Sequence, residues 1–91
     1  MEKKITQNSF EFETMDEMMA IFGNLDEYIK LIEKDTNTTI AAKDGEAIIS
    51  GEEEGVKRAH DVINSAAQLF RSGEYIDENR ISYLLDAVRD K

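Results

Sequence analysis

The pair Asp44-Gly45 constrains the fold of this chain most, because it stands between two β-prone runs. Asp-Gly is among the strongest signals for a two-residue hairpin turn of type I′. The runs that it would join are Thr38–Lys43 and residues 46–50. Such a turn pairs apolar residues across the strands, Ile40 with Ile49 and Ala42 with Ala47. The sequence therefore predicts an antiparallel hairpin with a fixed register and one apolar face.

A strand and a helix are predicted before this hairpin. Residues 9–13 alternate with period two and place two phenylalanines on one face, which is typical of a strand. Thr14 stands three residues before Glu17, the spacing of a capping box at a helix start. The apolar residues that follow have helical spacing, which predicts a core-facing stripe of Met15, Met18, Met19 and Phe22.

A second helix follows directly. Gly23 ends the first helix, and Asn24 with Glu27 repeats the capping-box spacing. Its apolar positions again have helical spacing and are Leu25, Tyr28, Ile29 and Ile32. The sequence therefore predicts two helices that meet at one tight loop.

Two more helices are predicted after the hairpin. The acidic run 52–54 suits a helix N-terminus, and the longest helix should extend to near Gly73. Its apolar stripe is Val56, Ala59, Ile63, Ala66 and Phe70. Asp77 is the predicted N-cap of a last helix, with Ile76 and Ile81 placed for a hydrophobic staple. The stripe of that helix is Ile81, Leu84, Leu85 and Val88.

This order of elements, β-α-α-β-β-α, resembles that of type I KH domains. The predicted fold class is α+β, KH-like, with a three-stranded sheet packed on helices and one extra C-terminal helix. Residues 1–8 are predicted to be a flexible tail, 9–73 the KH-like domain and 74–91 the additional helix. The 91 residues are 41% hydrophobic, which is enough for one core.

Composition also limits the setting and the partners. Cysteine is absent, and no apolar run approaches the roughly 20 residues that span a bilayer, so we expect a cytoplasmic protein without a membrane partner. The net charge is −9 at pH 7. Nucleic-acid-binding domains are usually basic, because neutralising phosphates supplies much of their affinity. The charge therefore counts against tight RNA binding by this domain alone.

The loop between the first two helices is the candidate nucleic-acid site. In KH domains a GXXG loop at this position clamps a short run of nucleotides. The matching residues here are Gly23, Asn24 and Leu25, while Asp26 replaces the second glycine. A carboxylate at that place would repel a phosphate. The alternative is that Gly23 only caps the first helix.

A closer resemblance extends over roughly residues 21–88. The segments that carry it are FGNLDEYIKLIE (22–33), IISGE (48–52), VKRA (56–59) and IDENRI (76–81). They resemble the N-terminal region of PhoH-family proteins, a phosphate-starvation-inducible family. The resemblance implies a KH-like domain that precedes a P-loop ATPase domain, with ATP and magnesium bound by that second domain and a role in RNA metabolism.

The sequence argues against catalysis by this chain. A P-loop requires Gly-x-x-x-x-Gly-Lys-Ser/Thr, and no segment matches. His60 is the only histidine, so two histidines cannot bind one metal ion, and we interpret it as a half-buried structural residue. No serine or cysteine nucleophile has a neighbouring base. We therefore predict no enzymatic activity, no cofactor and no metal in these 91 residues.

Two functions stay open. The first is weak binding of single-stranded RNA, assisted by the protein's own ATPase domain; it predicts a basic strip at Lys30, Lys34 and Lys43 despite the acidic total. The second is a protein-interaction or homo-oligomerisation module that keeps the KH-like frame and has lost nucleic-acid binding. Asp26 and the net charge favour the second.

Overall fold

The backbone follows the predicted order of elements, including the predicted extra helix at the end. The computed structural model describes residues 4–89. The elements are β1 (Ile5–Glu11), α1 (Met15–Phe22), a 3-10 turn (Asn24–Asp26), α2 (Glu27–Thr36), β2 (Thr38–Lys43), β3 (Glu46–Glu52), α3 (Glu53–Arg71) and α4 (Glu78–Arg89). The predicted strand-helix-helix-strand-strand-helix order is confirmed.

One antiparallel sheet contains the three strands in the order β1-β3-β2. Asp44 and Gly45 have φ angles of 51° and 79°, and a type I′ turn requires positive φ at both positions. The register pairs Ile40 with Ile49 and Ala42 with Ala47, so the predicted register of the hairpin is confirmed.

The first strand begins earlier than predicted. Ile5–Asn8 pair with residues 49–52 of β3, because β3 continues past the predicted end at Ser50 to Glu52. The prediction of a flexible tail over residues 1–8 is therefore wrong at residues 5–8, and residues 1–3 lie outside the described residues. The strand ends at Glu11, although the Phe12 N–H still donates to the Gly45 carbonyl at 3.1 Å.

The core lies between the sheet and the helices. Its largest fully buried apolar side chains are Ile21, Ile32, Ile49, Ile63 and Ile81, together with Val62. They come from α1, α2, β3, α3 and α4, so every helix contributes to one core.

Helix α1 packs with a different face than its periodicity predicted. Met15 and Met19 are 61% and 64% exposed, and only Met18 and Phe22 of the predicted stripe pack on the core. The prediction that these methionines fill the core is wrong for Met15 and Met19. The buried face includes Glu17, because its carboxylate binds Arg71 of α3 at 2.6 and 2.9 Å and turns the helix toward that partner.

Two of the three predicted helix caps are present. Thr14 Oγ1 accepts the Glu17 N–H at 3.0 Å, and Asp77 Oδ1 accepts the Arg80 N–H at 2.8 Å. The cap predicted at Asn24 is wrong. That residue begins the 3-10 turn and makes no side-chain cap, and α2 begins only at Glu27.

The last helix packs on its own domain. Ile81 and Leu85 of α4 are buried, and α4 contacts both α2 and α3. Leu84 and Val88 are partly buried against the same core, as predicted from their spacing. Across residues 4–89, none of the helices has the length and apolar character needed to cross a bilayer.

Candidate nucleic-acid interface

Gly23 is required by both backbone conformation and packing. Its φ is 80°, and an added Cβ would lie 2.6 Å from the ring of Tyr28, closer than real Cβ contacts allow. Its N–H donates to the Met19 carbonyl at 3.0 Å, which ends α1. Gly23 therefore caps α1, and it also lets Tyr28 pack against the loop.

The next residues form a left-handed turn. Leu25 and Asp26 have φ angles of 54° and 60°, an uncommon conformation for residues that have a Cβ. Each left-handed residue costs about 1–2 kcal/mol relative to a right-handed one. The turn places Leu25 at the surface, where it is 82% exposed. The loop thus holds an apolar side chain out toward solvent.

A groove of about 550 Å³ lies between this loop and the second strand. Its walls come from α1, the loop and β2. The lining residues are Met18, Met19, Phe22, Gly23, Asn24, Leu25, Asp26, Ile40, Ala41 and Ala42. Most of these side chains are apolar, so the groove can cover the faces of nucleobases or an apolar peptide.

The groove carries negative charge. Asp26 is the one charged residue among those that line it. A wall without lysine or arginine releases few counterions on binding RNA, so electrostatics contributes little to affinity there. The groove can therefore hold a ligand by apolar contact and shape. Asp26 stands where a GXXG loop has its second glycine, so the loop lacks that part of a phosphate-binding site.

The predicted site residues separate into two groups. Gly23, Asn24 and Leu25 line the groove. Lys34 instead lines a different cleft, between α2 and α4, beside Asp35. The expected basic strip is therefore not gathered along the groove.

The other two lysines also lie away from the groove walls. Lys30 is exposed on α2. Lys43 is exposed at the end of β2. Neither lysine is among the residues that line the groove. The RNA-contact role proposed for the three lysines stays a prediction.

Sequence reasoning missed part of the groove. Met19 was assigned to the core, and Ile40, Ala41 and Ala42 were assigned only to the hairpin. The methionine spacing on α1 contained a usable signal, because methionine is common at adaptable binding surfaces as well as in cores. The contribution of β2 depends on tertiary packing, which local periodicity does not report.

His60 has a structural environment. Its ring is partly buried and meets the edge of Phe10, with ring centroids 5.7 Å apart. It lies on α3, away from the groove walls. The contact agrees with the interpretation of His60 as a half-buried packing residue.

Known structures define the fold. The first KH type I domain of human vigilin superposes with a TM-score of 0.68 at 14% identity, covering 82% of this chain and 84% of that one. Dim2p from Pyrococcus horikoshii gives 0.66 at 23% identity, over 88% and 48% of the two chains. A protein of unknown function from Aeropyrum pernix gives 0.73 at 18% identity, over 98% and 49%. The chain has the fold of a type I KH domain.

Sequence comparison gives a relative as well. The chain is 34% identical over 74 residues to a PhoH-like protein of Bacillus subtilis (strain 168). The alignment covers 81% of this chain and 23% of the relative, so the chain corresponds to less than a quarter of that protein. No family model matches the chain. The predicted resemblance to PhoH-like proteins is confirmed as a similarity over this portion.

Proposed function

We propose that this domain is a non-catalytic module that binds single-stranded RNA weakly, in the groove between α1, the loop and β2. The observation that carries the proposal is the position of this groove beside the loop that begins at Gly23, the place where KH domains hold nucleotides. The similarity to a PhoH-like protein supports a role within a larger protein of that kind.

Apolar contact supplies most of the affinity in this proposal. The exposed Met19 and Leu25 stand beside the groove, where they can cover nucleobase faces. Binding without cationic contacts depends little on salt, since the salt slope follows the number of neutralised phosphates. We expect a dissociation constant in the micromolar range that changes less than about threefold between about 50 and 200 mM salt.

The test is a pair of matched methionine variants. Met19→Glu places a carboxylate in the groove, and Met15→Glu places the same charge one turn away on the same helix, outside the groove walls. In fluorescence anisotropy titrations with a labelled single-stranded RNA, Met19→Glu should weaken binding by about tenfold or more, equivalent to 1.4 kcal/mol. Met15→Glu should weaken it by less than about threefold, because only long-range repulsion changes.

The two variants add the same charge at different positions, so a difference between their affinities for RNA reports where the RNA binds. Both methionines are mostly exposed, so neither substitution disturbs the core, and thermal unfolding provides the check. Equal effects of the two variants would place the RNA elsewhere. No binding by the unmodified domain at low salt would contradict the proposed function.

The second candidate function is a protein-interaction module. It is favoured by the exposed apolar row of Met15, Met19 and Leu25, together with Asp26 in the groove. Such a surface suits an apolar protein segment better than a polyanion. Failure of RNA binding at low salt, together with concentration-dependent self-association in sedimentation experiments, would favour a homo-oligomer.

The remaining proposals rest on the resemblance to PhoH-family proteins. A companion ATPase domain with ATP and magnesium, an intracellular location in the cytoplasm and a response to phosphate starvation stay predictions. Co-purification of RNA with the full-length protein, compared with a form that lacks residues 4–89, would test the contribution of this module.

A further inference from the structure

The β2 strand exposes one edge, because β3 pairs with its other side and β1 lies beyond β3. All six residues of β2 lie opposite residues of β3, from Thr38 opposite Gly51 to Lys43 opposite Glu46. In an antiparallel pair, the backbone N–H and C=O groups of successive residues point alternately toward the partner strand and toward the outer edge. The Ile40 N–H donates to a side chain of α2 and not to β3. The backbone N–H and C=O groups of Ile40 and Ala42 therefore point to the outer edge.

The acceptor of the Ile40 N–H is Glu33. Its Oε2 atom lies 2.7 Å from the Ile40 nitrogen, a short charge-assisted hydrogen bond. Ile40 and Ala42 both line the groove, whereas Glu33 is not among the lining residues. The carboxylate therefore reaches across from α2 and occupies a backbone donor at the end of the groove.

We propose that Glu33 acts as a gate on the β2 edge: its carboxylate occupies the Ile40 N–H and keeps an RNA strand bound in the groove from hydrogen bonding to it. This inference rests on the proposed function and concerns the same groove. A nucleobase edge carries carbonyl and ring-nitrogen acceptors that fit a backbone N–H donor. While Glu33 occupies this donor, a bound base can hydrogen bond only to the other backbone groups on the outer edge of β2. The affinity for RNA is then lower than it would be with the Ile40 N–H free.

A purely structural role makes a different prediction. Covering an edge N–H protects a strand from pairing with other chains, and the bond also joins α2 to β2. If that were the whole role, removing Glu33 would loosen the groove and weaken or leave unchanged its affinity for RNA. A gate requires the affinity to rise instead.

The experiment compares three substitutions of Glu33. Glu33→Gln removes the charge and retains an oxygen acceptor, whereas Glu33→Ala removes both. Glu33→Met keeps the packing stem without an acceptor and serves if the alanine variant is poorly folded. Each is titrated with a labelled single-stranded RNA octamer, and amide hydrogen exchange of Ile40 is recorded with and without RNA.

The expected result is tighter binding by the variants that lack an acceptor. Glu33→Ala or Glu33→Met should bind about fivefold more tightly than Glu33→Gln, the range of one added hydrogen bond. RNA should protect the Ile40 amide from exchange in those variants and leave its exchange unchanged in the unmodified protein. The comparison with Glu33→Gln subtracts the effect of losing one negative charge.

The failures are distinguishable. If Glu33→Ala and Glu33→Met bind no better than Glu33→Gln, the gate is overturned while the proposed function stands. If the unmodified domain does not bind but the acceptor-free variants do, the proposed function fails and the gate stands. If no form binds RNA, both are overturned.

Discussion

Replacing Gly55 by alanine should destabilise the domain by about 2–3 kcal/mol, although alanine is the better helix former. Gly55 lies in the first turn of α3, where an added Cβ would be 2.3 Å from the Thr36 carbonyl oxygen. That oxygen belongs to backbone at the end of α2. The Thr36 hydroxyl bonds to Ile32 at 2.6 Å and to Thr38 at 2.8 Å, so the segment cannot easily move away.

Helix propensity alone would make Gly55→Ala stabilising, so a loss of stability reports the close contact with Thr36. An exposed position on the same helix, Asn64, provides the control, since Asn64→Ala should be neutral or stabilising by a few tenths of a kcal/mol. Urea unfolding followed by circular dichroism measures both variants. If Gly55→Ala were as stable as Asn64→Ala, the close approach of α3 to the end of α2 would be wrong.

Loss of Arg71 should cost about 3 kcal/mol at neutral pH, the lower end for a broken buried ion pair. Glu17 is 1% exposed, and Arg71 Nε and Nη2 bind its two oxygens at 2.6 and 2.9 Å. Arg71→Met keeps the packing stem but leaves that carboxylate buried without its cation. The Arg71 side chain is 28% exposed, so water recovers part of the loss.

The pH dependence separates the ion pair from simple packing. Hydrogen bonds from Arg71 hold the pKa of Glu17 below its ordinary value of 4.5, against the opposing effect of burial. The pair therefore contributes fully above about pH 4.5, and this contribution is lost as pH falls through the lowered pKa. The stability deficit of Arg71→Met should shrink in acid as Glu17 becomes protonated. A deficit that stays constant with pH would show that packing alone is lost.

A double variant completes that test. Glu17→Met combined with Arg71→Met removes both charges and leaves two apolar side chains of suitable length. Such replacements of buried pairs are often neutral or stabilising. The double variant should therefore recover most of the stability lost by Arg71→Met, and additive losses would contradict the coupling.

Local patterns predicted the fold where neighbouring residues decide the structure. The Asp44-Gly45 turn determined the hairpin register, and Thr14 with Glu17 marked the start of α1. The orientation of α1 could not be predicted in this way, because Met15 and Met19 lie on one plausible face and Ile21 on another. Glu17 meets a partner 54 residues away, and that contact selects the buried face.

The candidate site was predicted only on one side. Gly23 and the residues after it follow from a helix-loop-helix pattern that is continuous in sequence. The facing wall at Ile40–Ala42 comes from a strand, and the hydrogen bond from Ile40 to Glu33 exists only after α2 packs beside β2. The same packing places Lys34 beside α4, although it lies one turn from Lys30 in sequence.

Mapping RNA contacts by NMR tests the central claim most directly. In a titration of isotope-labelled domain with single-stranded RNA, amide shifts should change around Met19, along residues 23–26 and along residues 40–42, which are the walls of the groove. Amides of the α2–α4 cleft, such as Lys34 and Arg89, should stay unchanged. Shifts confined to that cleft, or no shifts at millimolar RNA, would contradict binding in the groove.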